Sequence, residues 1–295
     1  MTCPVIPISE IEMEEEPFAR DGFGKIYNAK WRKEDVVVKI IKAKREEEKE
    51  DAKREANLSF RLNHPNVINL FGITYVTYVE QSVHGNVTKK KLGIVMEKAE
   101  HGSLDMWIGK IDHERLTKIA LGIIDGLEYV HSQKVIHRDI KPHKILLFGP
   151  VDDMIPKIVF GVSKVIGTIM KTHTRVGHNL YMAPEVRMNF QYSFTADIFS
   201  LAMTLFEMFN EQLMPDASDE VKRFILGIQA GRTSNIPESC KVPLYLRDVI
   251  ERGWCEMPDE RPTLDEYRSA LRGKYTLFSR ELYLRICGKS CLRIK

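Results

Sequence analysis

An α+β fold in two lobes is what the sequence predicts: a small β-rich N-terminal lobe with one charged helix, then a larger, mainly helical lobe. Up to about residue 98, apolar residues fall in short β-branched or aromatic runs with turn residues between them. After Gly102 they recur at helical spacing. The chain has 295 residues, 43% hydrophobic and 29% charged, enough to bury a large core and ordinary for a soluble globular protein.

Each element has its own signal. "KIYNAKW" (25–31) and "DVVVKII" (35–41) read as strands. "KREEEKEDAKREANLSFRL" (44–62) reads as a helix with opposite charges one turn apart, most of them on a solvated face. "VINLFGITYVTYV" (67–79) and "KKLGIVME" (90–97) read as two further strands, joined through the turn signal "HGN". "HERLTKIALGIIDGLEYVHSQ" (113–133) and "TADIFSLAMTLFEMFN" (195–210) carry helical periodicity. The expected organisation is an extension over 1–15, lobes over 16–98 and 99–273, and a basic tail over 274–295.

Bulk properties exclude several classes. A net charge of +3 does not argue for nucleic acid or an anionic membrane. No apolar run reaches the length of a membrane span, and the first residues lack the regions of a signal peptide. The cysteines (Cys3, Cys240, Cys255, Cys287, Cys291) are odd in number and scattered. That pattern points away from a disulfide framework and towards a reducing, cytoplasmic setting.

From about residue 16 to 273 the motifs follow one another in an order that resembles the eukaryotic protein kinase domain. In "VVVK", Lys39 takes the place of the lysine that grips nucleotide phosphates; Glu55 stands where the helix glutamate pairs with it. "MEKA" resembles the hinge, with Met96 at the gate position and the Glu97–Ala99 backbone facing an adenine edge. The resemblance also assigns Gly22, Gly24, Ile26, Val37, Lys144 and Leu146 to a nucleotide pocket. "HRDIKP" puts Asp139 in the place of the catalytic base and Lys141 where Ser/Thr-directed kinases carry it. Glu185 of "APE" and Arg261 of "DERP" match a buried ion pair, Asp197 matches the anchor of the catalytic-loop backbone, and His137, Arg138, Phe160 and Gly161 complete the structural set. "WCEMPDERPTLDEY" and "EHGSL" resemble the tyrosine-kinase-like branch.

The departures all concern phosphate or metal. The glycine-loop positions fall at Ala19, Asp21 and Gly24, with Gly22 an extra glycine, so Asp21 brings a carboxylate to the place of an anion. Where the family carries a metal-binding Asn stands Lys144, which has donors and no acceptor. The aspartate before Phe160–Gly161 is Val159; sliding the register by one gives Ile158. Asp152 and Asp153 read as part of a turn, His178 replaces a substrate-seating threonine, and Ser59 replaces a large apolar residue in the spine that includes Leu70, His137 and Phe160. Magnesium needs oxygen ligands, so no metal ligand is assigned. Lys144 has two open readings: an ion pair with Asp139, or a second ammonium beside Lys39 that holds ATP without metal.

The resemblance and its departures together imply a pseudokinase, a signalling scaffold or allosteric partner of other proteins with ATP as its ligand. The alternative is a metal-atypical Ser/Thr kinase built on Lys39, Glu55, Asp139 and Lys141. Thr172 and Thr174 are candidate phosphorylation sites that would order their loop onto Arg138. No nucleic-acid partner and no membrane span are expected.

Overall fold

The computed structural model describes residues 2–43, 45–82, 85–160, 180–187, 193–232 and 235–273. Its contacts divide the chain into two compact units, one of residues 1–103 and 144–171, the other of residues 104–143 and 172–295.

The first unit is built on a six-stranded sheet. Its strands are β1 (Ile11–Met13), β2 (Ala19–Asp21), β3 (Gly24–Trp31), β4 (Glu34–Ile41), β5 (Leu70–Ser82) and β6 (Gly85–Glu97), in the order β1-β3-β4-β6-β5 with β2 pairing β3. All pairings are antiparallel. A two-stranded ribbon, β7 (Ile145–Phe148) with β8 (Ile155–Ile158), belongs to the same unit. The segment before residue 16, set apart in the sequence as an extension, is part of this sheet's architecture. Val5 bridges Ile73, β1 pairs β3, and Cys3, Ile6 and Ile11 are buried.

Strand alternation explains how β4 sorts its side chains. Val36, Val38 and Ile40 enter one apolar cluster with Ile6, Ile11, Ala29 and Val95. Val37 and Ile41 enter another, with Ile68, Leu70, Ile94 and Met96. Lys39 shares the Val37 and Ile41 side of the strand by the same period of two, and it is buried.

Helix α1 (Glu46–Phe60) packs against this unit through Ala52, Glu55, Ala56 and Ser59. Their spacing of three, four and seven is one stripe of a helix, although two of the four are polar. Its other face carries solvent-exposed Glu46–Lys49 and Glu50–Lys53 pairs, which water and salt screen.

The second unit is helical. It holds α2 (His113–Ser132), the short α3 (Pro184–Arg187), α4 (Thr195–Asn210), α5 (Asp219–Gln229), α6 (Leu244–Gly253) and α7 (Leu264–Leu271). Asp112 caps α2, accepting from the Arg115 N–H at 2.9 Å. From Ala196 to Asn210 every residue of α4 is buried, which makes it the central helix of this unit. Among the described residues no helix is long and apolar enough to cross a membrane.

Candidate functional site

Within the first unit the apolar residues assigned to a nucleotide pocket fall on one surface, which Val159 joins. Ile26, Val37, Met96, Ala99, Leu146 and Val159 all belong to a single packed cluster. The cause is register: Ile26 stands opposite Lys39 on β3, and Val37 stands opposite Met96 on β6.

The charges beside that surface are arranged in a way the sequence did not reveal. The Lys39 ammonium meets Asp21 Oδ2 at 2.5 Å, and Lys144 Nζ lies 3.7 Å from the same oxygen. Asp21 Oδ1 accepts the Phe23 N–H at 2.9 Å, closing the β2–β3 turn. The residue expected to repel a phosphate is therefore seated between two ammonium groups. Glu55, buried on α1, adds its charge in favour of the Lys39 ammonium. An Asp21 carboxylate oxygen lies 3.7 Å from Lys144, and Asp139 accepts from Lys141 at 2.9 Å.

Burial raises the Asp21 carboxyl, but the charge and hydrogen bond of Lys39, then Lys144 and the Phe23 N–H, outweigh it and hold the group below the usual carboxylate range. Burial, and next the Lys144 charge, push Lys39 below its ordinary value against the pull of Asp21 and Glu55. One buried cation, one partly buried cation and one partly buried anion are thus mutually dependent.

The two glycines of the turn have different reasons to be there. A Cβ on Gly24 would lie 2.1 Å from the Ile40 carbonyl oxygen, so the strand packing itself excludes any side chain. A Cβ on Gly22 would meet nothing within 4 Å beyond its chain neighbours, and its backbone is outside the left-handed region. The fold does not require glycine at that position.

The donor set does not fit a magnesium ion held in the family's usual way. Lys144 offers only N–H donors, and Val159 packs with Ala56, Ser59, Ile68, Leu70, Ile94, Met96 and Phe160 around a cavity of about 10 Å³. That volume holds roughly one water. Among the described residues no group of three or more His, Cys, Asp or Glu side chains is placed to hold a metal. Asp152 and Asp153 are exposed, in the turn between β7 and β8.

The segment assigned to the hinge carries a contact that sequence reasoning missed. Lys157 of β8 reaches both carboxylate oxygens of Glu97, at 2.8 and 2.7 Å, and Glu97 also accepts the Asn69 N–H at 2.6 Å. No local signal links two residues sixty positions apart. Only the pairing of β7 with β8, which puts Lys157 opposite Leu146, brings it there.

In the second unit, Asp197 organises the segment around Asp139. Its Oδ2 accepts the His137 N–H at 2.8 Å and its Oδ1 the Arg138 N–H at 2.7 Å, and His131 Nε2 lies 2.8 Å from Oδ2. Arg138 has φ of 68°, a left-handed conformation that costs an L-residue roughly 1–2 kcal/mol. The two backbone bonds to the fully buried Asp197 offset that strain. Arg261 and Glu185 form a two-pronged buried pair at 2.6 and 2.9 Å. Arg261 also donates to the carbonyls of Cys255 and Thr195. Gly161, Ser163, Thr168, Thr172, Thr174 and His178 lie outside the described residues, as does the tail over 274–295.

Comparison with known proteins agrees with this construction. The family model for the protein kinase domain matches residues 20–275. Serine/threonine-protein kinase VIK of Arabidopsis thaliana is 28% identical over 91% of this chain and 63% of its own length. Serine/threonine-protein kinase 10-A of Xenopus laevis is 33% identical over 82% of this chain and 25% of its own. The probable serine/threonine-protein kinase gdt2 of Dictyostelium discoideum is 28% identical over 86% of this chain and 15% of its own. The alignments thus cover less than two thirds of these relatives. With the sheet, the helical unit, the buried lysine and the Asp197-anchored loop in place, the chain belongs to the protein kinase domain family.

Proposed function

We propose that this chain is a pseudokinase: a cytoplasmic signalling protein of the tyrosine-kinase-like branch that binds ATP without metal, transfers phosphoryl groups poorly or not at all, and acts through protein partners. One observation carries the reading. At the two positions where the family places metal ligands, this chain has an ammonium engaged with Asp21 and a valine packed in an apolar cluster. Phosphoryl transfer depends on cations that neutralise the transition state; one such group is worth roughly 10³ to 10⁵ in rate. A general base is worth about 10² to 10⁴, so an intact Asp139 does not make up the loss.

A second reading has support of its own. Asp139 and Lys141 are paired at 2.9 Å, the relatives are named as Ser/Thr kinases, and a metal-atypical Ser/Thr kinase would use both residues. The deciding experiment is phosphoryl transfer from labelled ATP to a generic protein substrate and to the chain itself, with Mg²⁺ or Mn²⁺, for the wild type and Asp139→Asn. The pseudokinase reading expects no incorporation above the Asp139→Asn level. Incorporation that Asp139→Asn abolishes overturns it in favour of the active enzyme.

A further inference from the structure

We propose that Asp21 occupies the phosphate position of this site as an internal competitor, and that the ligand which displaces it is a nucleoside triphosphate free of metal. The inference rests on the nucleotide-binding part of the reading above and adds how the site is closed and what opens it.

The first support is the burial of the cations. The side chains of Lys39 and Lys144 are 6% and 12% exposed, and their common anion Asp21 is 27% exposed. If Asp21 left with nothing in its place, two nearly dry ammonium groups would face each other. Buried charge of one sign is costly without a partner. The Glu55 charge also favours the Lys39 ammonium, so loss of Asp21 leaves the two cations short of one negative charge, and an external anion that supplies it favours the open form of the site. One ammonium bonded to the Asp21 oxygen and a second 3.7 Å from it set two positive charges about a single anion position, which suits a phosphate oxygen that takes several charge-assisted bonds at once.

The second support is the mounting of the carboxylate. Strand β2 has three residues and, among the described residues, pairs on one side only, with β3. Asp21 is its last residue, paired opposite Gly24 across the turn. The Phe23 N–H bond to Asp21 Oδ1 is internal to the turn, and the Phe23 carbonyl accepts the Lys42 N–H at 2.7 Å, so displacement is a rotation of the Asp21 side chain on a turn that stays tied to the sheet. Gly22, next to Asp21, leaves open space that neither the packing nor the backbone conformation requires. A bare backbone next to the carboxylate lets phosphate oxygens approach where a side chain would obstruct them.

The third support is the chemistry of the cations. Neither Lys144 nor Val159 offers an oxygen to a metal, and a magnesium ion carried in on the phosphates would arrive beside two ammonium groups. The free polyanion is favoured over its metal complex for the same reason that the carboxylate sits there now.

The competition sets the size of the effect. A site whose open form is about 1% populated binds its ligand about 100-fold more weakly than its intrinsic affinity. Asp21→Asn keeps an oxygen for the Phe23 N–H and removes the charge that holds the ammonium groups. Calorimetric titration of the full chain with ATP in EDTA is therefore expected to show binding about tenfold to a hundredfold tighter in Asp21→Asn than in the wild type. Adenosine, which has no phosphates, should bind both proteins alike, and Lys144→Gln should weaken ATP in either background. Melting curves of each variant establish that it is folded.

An ATP affinity unchanged or weakened in folded Asp21→Asn overturns the internal competitor, as does equal tightening for adenosine, which would mean a generally loosened pocket. Excess Mg²⁺ should weaken ATP binding; tightening by Mg²⁺ overturns the metal-free ligand. Neither result depends on the transfer assay, so a failure here is distinct from the appearance of Asp139-dependent catalysis.

Discussion

Replacing Glu207 by Gln tests a charge buried in the middle of the helical unit. Glu207 lies on α4 and is 1% exposed. Its Oε1 accepts the Met214 N–H at 2.9 Å, and the Tyr181 hydroxyl donates to its Oε2. Burial pushes its carboxyl from 4.5 up to about 7; the bonds from Tyr181 and Met214 pull it down, and the charge of Asp105 adds to the rise. The Tyr181 hydroxyl is itself pushed well above its ordinary value, by burial first and Glu207 second, so it keeps its proton. Between about pH 4.5 and 7 the folded state therefore holds a proton that the unfolded state has lost, and stability falls as pH rises through that window. At about 1.4 kcal/mol per pH unit, the full gap costs roughly 3 kcal/mol, reached above pH 7. Gln is the neutral stand-in for the protonated acid and carries no such slope. Denaturant unfolding at steps from pH 5 to pH 8 should find the two proteins close at the acid end. Glu207→Gln should gain on the wild type as pH rises, by up to about 3 kcal/mol, or roughly 6–12 °C in melting temperature for a chain of this size. A stability difference that does not change with pH, or one that grows towards acid, would refute the argument.

Two further perturbations follow from the packing. Arg261→Met leaves the Glu185 carboxylate buried without its two-pronged partner, and strands the carbonyls of Cys255 and Thr195; a loss of about 3–5 kcal/mol is expected by denaturant titration. Gly24→Ala forces a Cβ into the Ile40 carbonyl, whereas Gly22→Ala meets open space. Melting should therefore show a large destabilisation for the first and a change within about 1 kcal/mol for the second.

The parts of the fold that could be read from the sequence are those with a strong period. "DVVVKII" alternates between two apolar clusters, and the buried stripe of α1 has helical spacing. Strands β1 and β2 escaped because three residues give too short a pattern to count, and "ARD" has no apolar alternation at all. Strand β6 begins at Gly85, ahead of the expected residue 90, because its first residues pair with β5 in register, which a largely polar sequence does not signal. At the site, residue types disclosed what was missing, an oxygen at 144 and at 159, since that follows from side-chain chemistry alone. They did not disclose what had replaced it. Asp21 and Lys39 meet across eighteen positions, and Glu97 and Lys157 across sixty. Such pairs depend on strand register and turn geometry, which side-chain identity does not encode locally.

The retained residues divide by what satisfies them. Asp197, Glu185 and Arg261 have partners that the fold itself supplies, backbone N–H groups, carbonyls and one another. Their presence is accounted for by stability and carries no information about turnover. Lys39 is different. An apolar side chain on that face of β4 would join Val37 and Ile41 in the core, and exchanging buried charges for well-packed apolar groups is often neutral or stabilising. The chain instead buries one ammonium, sets a second beside the same carboxylate, and mounts that carboxylate on a short, one-sided strand. Nothing in the packing of the sheet calls for that arrangement. It is what a site needs if it must stay electrically balanced when empty and still exchange its internal anion for one from outside.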